Sequence, residues 1–488
     1  MSTNRTCILK ELAILDLIVK GGTVVTPGGA GLWDIGIQGE KIVSVALPGT
    51  LTEAKKTIDA TGKTVIPGGV EAHTHVGFPH LVSVWGSVTS GPEELSLGAL
   101  WGGTTTMFDF AKVTMDDPKN VAKAMNDHMA HFKGRMYIDY SAHASYYGPT
   151  ITVGNIDQIK ELVQEGFPSI KVYTTNHAPK PGRPLTMIGT GQLVDVMEAC
   201  AKYGGIVAIH SEEDEIVQWN YEKARQNEEM EWYYLPKIRS NLSEMLSVRR
   251  CVAVAEHTGA AMYIVHTSAK EGVEAIAESR AKGHPVDGET ILLYCSFNSD
   301  DYKKPDGMKH HTYPSTKSET DRQRLWQALH RGELNILATD AIGTTYANKI
   351  KGRTVLDVQG GNNGIEIRIP VGYTTAVVNQ GMSLERFVAI ACSNPAKLLG
   401  LYPRKGAIAA GSDADLCVLD TTVKKKISPK DLHLNDYTPW EGWEVRAWPT
   451  TVTLRGKVMI DNGKLLAKPT DGQLIKRKID SRVLNRPI

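Results

Sequence analysis

Six residues with metal-binding or proton-transferring side chains occupy matching positions along this chain. Each lies at or just beyond the end of a short apolar run that predicts a β-strand. The ends of parallel strands meet at one edge of a sheet, and in a (β/α)₈ barrel the chemistry collects there. The shared position therefore predicts one site, formed by His73, His75, Lys171, His210, His266 and Asp340.

The histidines favour a metal site only in combination. His73 and His75 are two residues apart, so on a strand both imidazoles face the same side and can reach one ion. A single histidine at a strand end, such as His210 or His266, is more often a structural residue. Glu71 begins the same stretch as His73 but is not a ligand candidate.

Asp340 and Lys171 place charges at the ends of apolar strands. A carboxylate buried without a partner is costly, so Asp340 is expected to face a metal ion or another cation. Lys171 has two interpretations: it pairs with an acid inside the barrel, or carbon dioxide carbamylates it and turns it into a bridging carboxylate. The second is favoured because four neutral histidines and one aspartate leave too little negative charge beside two divalent ions.

The elements that position these residues alternate between strand and helix, which predicts parallel βα units. Eight candidate strands are residues 64–75, 104–110, 135–142, 169–173, 206–210, 262–266, 286–293 and 335–340. Helical segments between them include residues 121–131, 156–164, 192–202, 244–256, 269–281 and 320–329. Eight units over about 280 residues fit a barrel. The alternative is an open doubly wound sheet, but no Gly-x-Gly-x-x-Gly follows the first strand.

Two β-rich segments flank this middle region. Residues 15–65 alternate short β-like runs with glycine turns, which predicts a small antiparallel sheet. A similar pattern of short β-like runs occurs at 414–419 and 451–460. Asp461-Asn462-Gly463 predicts a hairpin. The predicted fold is α/β: a TIM-like (β/α)₈ barrel of residues 67–404 and a discontinuous β-sandwich domain of residues 1–66 and 405–488, built from both termini.

Composition excludes several classes of partner. The formal net charge of +1 gives no reason to expect nucleic acid or an anionic membrane surface. The run Lys476-Arg477-Lys478 predicts solvated surface. Six widely spaced cysteines without a Cys-x-x-Cys pair, and an N-terminus unlike a signal peptide, predict a cytoplasmic protein with reduced thiols. No apolar stretch approaches the ~18 residues of a membrane span.

Several motifs carry a family resemblance. They are Ile-Pro-Gly-Gly-Val-Glu-Ala-His-Thr-His at 66–75, Gly-Gly-Thr-Thr-Thr at 102–106, Ser-Ile-Lys-Val at 169–172, Ile-Val-His-Thr-Ser at 264–268 and Gly-Ser-Asp-Ala-Asp at 411–415. With them the chain resembles the amidohydrolase superfamily from about residue 15 to residue 466. The branch it resembles is that of the cyclic amidases, the dihydropyrimidinases and hydantoinases.

This resemblance implies a chemistry for the six residues. One divalent ion would be held by His73, His75 and Asp340 and the other by His210 and His266, with carbamylated Lys171 as the bridge. The ions are most often zinc, with manganese or cobalt possible. A metal-bridging hydroxide would attack a polarised carbonyl while Asp340 acts as general base and then general acid. The implied reaction cleaves a C–N amide bond of a cyclic ureide or imide, of hydantoin or dihydropyrimidine type.

The residues expected to contact substrate depart from the family pattern. Asn176 stands where the family usually has an oxyanion-binding tyrosine, for which the Asn176 amide itself or Tyr173 could substitute. Ala341 replaces a common histidine, and Thr312 begins the stretch that replaces Ser-Pro-Pro-Leu-Arg. Asn363 matches a contact that recognises substrate through the backbone. The metal centre therefore matches the family, whereas the substrate-binding residues differ.

Aromatic residues on the predicted loops could enlarge the pocket. Phe78, Trp85, Tyr146 and Tyr147 follow the first and third strands, and they predict a substrate bulkier than dihydrouracil. The alternative is that these rings serve ordinary packing.

Alternative functions are an allantoinase-like or other amide hydrolase, a dihydroorotase, or a non-catalytic scaffold of the same superfamily. Scaffold members lose metal ligands, whereas every ligand position here is filled. The resemblance also implies a homo-oligomer, a tetramer or dimer, in which the C-terminal tail contacts neighbouring subunits.

Overall fold

Strands from both ends of the chain share one nine-stranded sheet in the computed structural model, which describes residues 14–77, 89–179, 185–434 and 436–488. Its first strands are β1 (Leu15–Thr26), β2 (Gly29–Gln38), β3 (Lys41–Ala46), β4 (Ala54–Asp59) and β5 (Thr64–Pro67). β1, β2 and β3 pair in antiparallel fashion, as predicted. β4 and β5 instead run parallel to β1, so the antiparallel prediction is wrong for them. A bulge between Val19 and Gly22 divides β1, and each half pairs with one of the two strands.

Eight parallel strands form the second sheet. They are β6 (Gly69–Glu71), β7 (Thr104–Ala111), β8 (Asp139–Ser145), β9 (Ser169–Tyr173), β10 (Ile206–His210), β11 (Ala261–Ile264), β12 (Val286–Ile291) and β13 (Ile336–Ala338). Each strand pairs with the next one along the chain. The seam between β13 and β6 closes just beyond them, where Thr74 and Ala341 form a parallel bridge and His75 N donates to Ala341 O at 2.9 Å. The predicted barrel is confirmed as nearly closed, and the open doubly wound sheet is wrong.

Helices follow the barrel strands and cover their outer faces, which is why β9 and β10 are buried along their whole length. The helices are α1 (Pro92–Trp101), α2 (Val113–Asp116), α3 (Val121–Ala130), α4 (Val153–Asp157), α5 (Ile159–Gln164), α6 (Thr190–Tyr203), α7 (Asp214–Gln226), α8 (Leu235–Ile238), α9 (Asn241–Thr258), α10 (Lys270–Ala281), α11 (Leu292–Ser296), α12 (Glu319–Arg331), α13 (Tyr346–Lys349), α14 (Arg368–Tyr373), α15 (Leu384–Val388), α16 (Asn394–Leu398) and α17 (Ser481–Asn485). None of the helices in the described ranges combines the length and apolarity needed to cross a membrane.

Six of the eight barrel strands have other limits than predicted, and the first predicted segment, residues 64–75, is divided between β5 of the terminal sheet and β6 of the barrel. β8 begins at Asp139 rather than at residue 135, because the C-terminal segment pairs with the backbone there: Gly472 N donates to Met136 O at 2.8 Å. β12 ends at Ile291, where α11 begins. Neither change moves a candidate site residue away from a strand end.

The remaining strands of the terminal sheet come from the end of the chain. They are β14 (Leu416–Asp420), β17 (Trp448–Leu454), β18 (Lys457–Asp461) and β19 (Lys464–Leu465), while β15 (Lys425–Lys426) and β16 (Glu444–Val445) pair separately. β14 pairs with β5, which joins the two termini in one sheet. Asn462 and Gly463 have φ of 47° and 78°, which confirms the predicted hairpin turn. The domain limits at 66/67 and 404/405 remain a prediction.

The C-terminal segment packs against the barrel of its own chain. Arg477 was predicted to be solvated, but it is only 5% exposed. Its guanidinium donates to Ala142 O at 2.6 Å and to Ser169 Oγ at 2.7 Å. The prediction fails at this residue because backbone carbonyls and hydroxyls inside the barrel replace the water that the guanidinium loses.

Candidate metal centre

The barrel brings all six predicted residues to the end where its strands terminate. His73 and His75 follow β6, Lys171 lies within β9, His210 ends β10, and His266 and Asp340 each lie two residues beyond a strand. All six line one pocket. Five of the six residues are buried, and His75 is the most exposed, with 31% of its side chain accessible.

His73, His75 and Asp340 form the tightest group. Asp340 Oδ1 lies 3.1 Å from Nε2 of each histidine, and one ligand atom from each of the three residues lies within 4.8 Å of the others. Burial alone would lower the pKa of His73 and raise that of Asp340, because it disfavours the charged form of each. Glu289 and Asp340 nevertheless raise the pKa of His73 to about 9. His73 and His75 hold the pKa of Asp340 well below its usual range. The carboxylate is thus ionised, as a metal ligand must be.

His210 and His266 form a second group beside the first. His210 Nδ1 lies 3.0 Å from His266 Nε2, and the two rings meet edge to face with centroids 4.6 Å apart. Burial lowers the pKa of both imidazoles well below the usual value, and the nearby Lys171 adds to this for each. Both rings are therefore neutral, which is the form that binds metal ions.

Lys171 lies between these groups without a counter-ion. It is 1% exposed, and its Nζ lies 4.9 Å from the ring centroid of Phe110 and 4.8 Å from that of Tyr173. Within the described part of the chain it forms no ion pair, which disfavours the interpretation of a lysine paired to an acid. Burial lowers its pKa to about 7, against the pull of Asp340 and Glu289. The neutral amine, the form that reacts with carbon dioxide, is therefore accessible near neutral pH.

The donor set fits divalent cations. Two nitrogen or oxygen ligands about 2.0–2.2 Å from a tetrahedral ion lie roughly 3.3 Å apart, close to the 3.0 and 3.1 Å separations found here. Buried His266 Nδ1 has no hydrogen-bond partner among the described residues. Four imidazoles, one carboxylate and an amine that can become a carbamate thus converge on one volume.

Buried carboxylates orient the histidines from behind. Glu289 Oε1 lies 2.7 Å from His73 Nδ1, and Glu212 Oε2 lies 2.8 Å from His210 Nε2. Each contact fixes which ring nitrogen faces the pocket. Arg239 forms an ion pair with Glu212 and holds it in place. Sequence reasoning missed these residues; the only signal was an acid inside the apolar run of β12 and another two residues after His210.

Glu71 has a structural role at the seam of the barrel. Its Oε1 accepts hydrogen bonds from His73 N at 3.0 Å and from Thr339 N at 3.2 Å, while Oε2 lies 3.1 Å from Arg368 Nε. It therefore connects the segments after β6 and β13 that carry the first group of ligands. This is consistent with its exclusion as a ligand candidate.

Two candidate ligands lie on strained backbone. His266 and Asp340 have φ of 39° and 51°, in the left-handed region that residues other than glycine rarely adopt. Each lies two residues beyond a barrel strand, so the left-handed residue turns the chain where its side chain enters the pocket. Strain of this kind concentrates at functional sites, where surrounding contacts sustain it.

Of the predicted substrate contacts, Tyr173 and Thr312 line the pocket. Thr312 Oγ1 donates to Asp340 Oδ2 at 3.3 Å. The structure also adds residues that sequence reasoning missed, because they come from loops with no motif. These are His177, Tyr313, Ile342, Val358, Gly360 and Gly361.

Asn176 does not meet the expectation that its amide faces the substrate. Its Nδ2 donates to Asp214 Oδ2 at 3.1 Å, and its Oδ1 accepts from the backbone N–H groups of Thr186 and Met187 at 2.8 and 3.1 Å. Asn176 is not among the described residues that line the pocket. The amide instead connects the start of the loop after β9 to the later part of the same loop, at Thr186 and Met187, and to α7.

Two other predicted contacts also require correction. Tyr146 is fully buried, and its hydroxyl donates to Asn155 O at 2.9 Å, so it belongs to the core. Tyr147 stacks on Tyr173 with ring centroids 5.5 Å apart and lies behind the pocket-lining ring. The prediction for Asn363, a contact through its backbone, is not contradicted: its side-chain amide donates to Thr344 O and Tyr437 O, both at 3.1 Å, and the backbone contact stays a prediction. Phe78 and Trp85 lie outside the described residues.

Glu289→Gln tests the supporting carboxylate. The amide keeps the size of the side chain but removes the charge that favours the correct His73 orientation. We expect metal affinity to fall by about 10–100-fold, as for other carboxylate–histidine–metal contacts. Competition with a chelator, read by metal analysis, measures this affinity.

Glu278→Gln, at an exposed glutamate paired to Arg249, is the matched control and should leave metal affinity unchanged. Wild-type affinity in Glu289→Gln would show that the carboxylate does not support the site.

Comparisons with known proteins agree with this geometry. The sequence model described as the Amidohydrolase family matches residues 64–459. The D-hydantoinase of Rhizobium radiobacter is 33% identical over 95% of this chain and 99% of its own length, and the L-hydantoinase of Paenarthrobacter aurescens is 28% identical over the same shares. The crystal structure of a dihydropyrimidinase from Brevibacillus agri superposes with a TM-score of 0.88 at 29% identity, covering 94% of this chain and 98% of that one.

Proposed function

Because the chain belongs to the amidohydrolase family, we propose that it is a metal-dependent cyclic amidase that opens a cyclic ureide or imide of hydantoin or dihydropyrimidine type. The observation that carries the proposal is the convergence of six metal-binding or carbamate-forming side chains on one pocket at the carboxyl end of the barrel. Similar proteins named D-hydantoinase, L-hydantoinase and dihydropyrimidinase support this reaction class.

Two groups of ligands support a binuclear centre. His73, His75 and Asp340 would hold one ion, and His210 and His266 the other. Lys171, carbamylated by carbon dioxide, would bridge them: its amine is buried in the same pocket, forms no ion pair with a described residue, and has a pKa that burial lowers to about 7. Zinc is the ion we propose, with manganese and cobalt as substitutes, since imidazole and carboxylate ligands suit all three.

Asp340 is the residue placed to move protons. When bound, the ions supply a hydroxide nucleophile and polarise the scissile carbonyl. Asp340 Oδ1 faces the two histidines, so Oδ2 is the oxygen left to accept the proton of the nucleophile and deliver it to the leaving nitrogen. The contact between Thr312 Oγ1 and Oδ2, at 3.3 Å, keeps this oxygen in position.

The walls of the pocket indicate the kind of substrate. Tyr313, Ile342 and Val358 supply apolar surface, which suits a ring with an apolar substituent. Lys171 is the only lysine or arginine among the described lining residues. The described part of the pocket therefore offers a carboxylate-bearing substrate such as dihydroorotate no cation other than Lys171. We propose a cyclic ureide or imide with an apolar substituent, bulkier than dihydrouracil.

A substrate panel tests the proposal. Protein purified with zinc, manganese or cobalt is offered hydantoin, 5-phenylhydantoin, dihydrouracil, succinimide, allantoin and dihydroorotate, and ring-opened products are separated chromatographically. We expect 5-phenylhydantoin to exceed dihydrouracil in kcat/KM by about tenfold or more, the scale that a filled apolar subsite provides.

Metal-loaded protein that opens none of these rings would refute the reaction class. Protein that binds no metal and stays inert after metal addition would support the scaffold alternative.

We also propose a cytoplasmic homo-oligomer, a tetramer or dimer. The five cysteines of the described ranges are buried free thiols, as expected in a reducing compartment. Light scattering of the purified protein measures its oligomeric state, and a monomer at micromolar concentration would contradict this part of the proposal.

A further inference from the structure

Lys349 is a buried lysine that the proposed reaction does not use. It ends α13, its side chain is fully buried, and its Nζ donates to three backbone carbonyls: His311 O at 2.6 Å, Gln359 O at 2.7 Å and Gly361 O at 2.5 Å. An ammonium group has three donors, so all of them are used. No carboxylate of the described residues forms an ion pair with it. Such a group is costly to bury, and the carbonyl dipoles provide its compensation.

These carbonyls belong to two separate walls of the pocket. His311 directly precedes two residues that line the pocket, Thr312 and Tyr313. Gln359 directly precedes two others, Gly360 and Gly361. The two walls are nearly fifty residues apart in sequence and lack regular secondary structure where they meet the pocket. Lys349 connects them through one atom. The separation of the two walls therefore depends on this contact.

The contact also fixes the orientation of the lining peptides. In a trans peptide the carbonyl of one residue and the N–H of the next point in opposite directions. With the His311 and Gln359 carbonyls aimed at Lys349, the N–H groups of Thr312 and Gly360 point away from it. Among the described residues neither N–H has a hydrogen-bond partner. Without Lys349 these peptide units lose the contact that holds them in this orientation.

We propose that Lys349 is a positioning residue that sets the distance and peptide orientation of the two pocket walls, and thereby determines which ring substituents the pocket accepts. This role rests on the proposed function for its substrate, but its structural part does not. Burial lowers the pKa of Lys349 to about 7, which shows how strongly the site resists the charge that the carbonyls must stabilise.

The test uses Lys349→Met, which keeps the length of the side chain but removes its charge and donors. In full-length, metal-loaded protein we expect metal content to stay at the wild-type level. KM for 5-phenylhydantoin should rise by about tenfold or more, the loss typical of hydrogen bonds to a charged group, with a smaller change in kcat. The preference for 5-phenylhydantoin over hydantoin should change by a similar factor.

Two further variants separate positioning from general destabilisation. Lys351→Met, at an exposed lysine two residues away, is the matched control and should match wild type. Lys349→Arg keeps the charge and several donors, so it should fall between wild type and Lys349→Met, and it serves where Lys349→Met does not accumulate as folded protein. Two results would overturn the proposal. One is that Lys349→Arg is as impaired as Lys349→Met; the other is that Lys349→Met keeps the wild-type KM and the wild-type substrate preference.

Hydrogen exchange provides a readout that needs no substrate. In Lys349→Met we expect amide exchange to accelerate by about tenfold at residues 311–313 and 359–362, and to stay unchanged in β9 and β10. This result is expected even if the wild-type protein opens no cyclic ureide, so failure of the proposed function and failure of this inference are distinguishable. Unchanged exchange at both walls would overturn the inference.

Discussion

Lys171→Ala is expected to remove both the metal ions and the activity. Lys171 is the one lysine among the described residues that line the pocket, and the substitution deletes the side chain proposed to carry the bridging carboxylate. Without that negative charge the neutral histidines do not balance two divalent ions, so metal content should fall below detection after dialysis. We expect kcat/KM to fall by about 10³-fold or more, since the nucleophile and the electrophile are lost together. Metal analysis and the hydrolysis assay measure both effects.

The cavity that this variant leaves provides a specific rescue. A short carboxylic acid, such as acetate or propionate, can occupy the space of the carbamate and should restore part of the metal content and activity. Lys160→Ala, at an exposed lysine of α5, is the control and should match wild type. Carbon-13 NMR after incubation with labelled bicarbonate should show a carbamate in wild type only. Full metal loading and activity in Lys171→Ala would refute the bridging role.

Asp340→Asn is expected to reduce turnover far more than metal binding. The amide keeps an oxygen that can face the histidines, but it cannot accept and return a proton. We expect kcat to fall by about 10³-fold, within the range of a lost general acid–base group, and metal content to fall by a much smaller factor. The contrast between the two measurements identifies the role of the residue.

Two comparisons make this result interpretable. Asp195→Asn, at an exposed position of α6, is the control and should leave turnover and metal content unchanged. Equal proportional losses of metal and turnover in Asp340→Asn would mean that Asp340 is only a structural ligand. The two predictions are independent, because the first concerns the presence of the ions and the second concerns proton transfer beside them.

The barrel was predictable from the sequence because its strands have a simple signal. A parallel strand covered on both faces is a short, continuous apolar run, and each of the eight runs corresponds to a strand in the structure. Errors occurred where other segments compete for the backbone, as at β8, where Gly472 pairs with Met136. The buried Arg477 was missed because a run of basic residues has the same composition whether water or carbonyls surround it.

The residues around the pocket were much less predictable. Asn176 occupies the family's tyrosine position, but a loop residue's direction depends on partners far along the chain, here Asp214 and Thr186. Tyr146 and Tyr147 have neighbouring positions and similar chemistry, yet one packs in the core and the other stacks behind Tyr173. The pocket walls around Tyr313 and Val358 have no periodicity from which their direction could be inferred.

The sequence by itself determined the family, through its motifs, and predicted one location for six candidate ligands, because the ends of parallel strands meet at one end of a closed barrel. His73, His75, Lys171, His210, His266 and Asp340 could be assigned on that basis. Only the tertiary structure decided which groups support them and which face the substrate. Glu289 contacts His73 across 216 positions of sequence, Arg239 holds Glu212 beside His210, and Lys349 donates to three carbonyls in two separate loops. Such contacts depend on the path of irregular loops, and local sequence patterns do not encode that path.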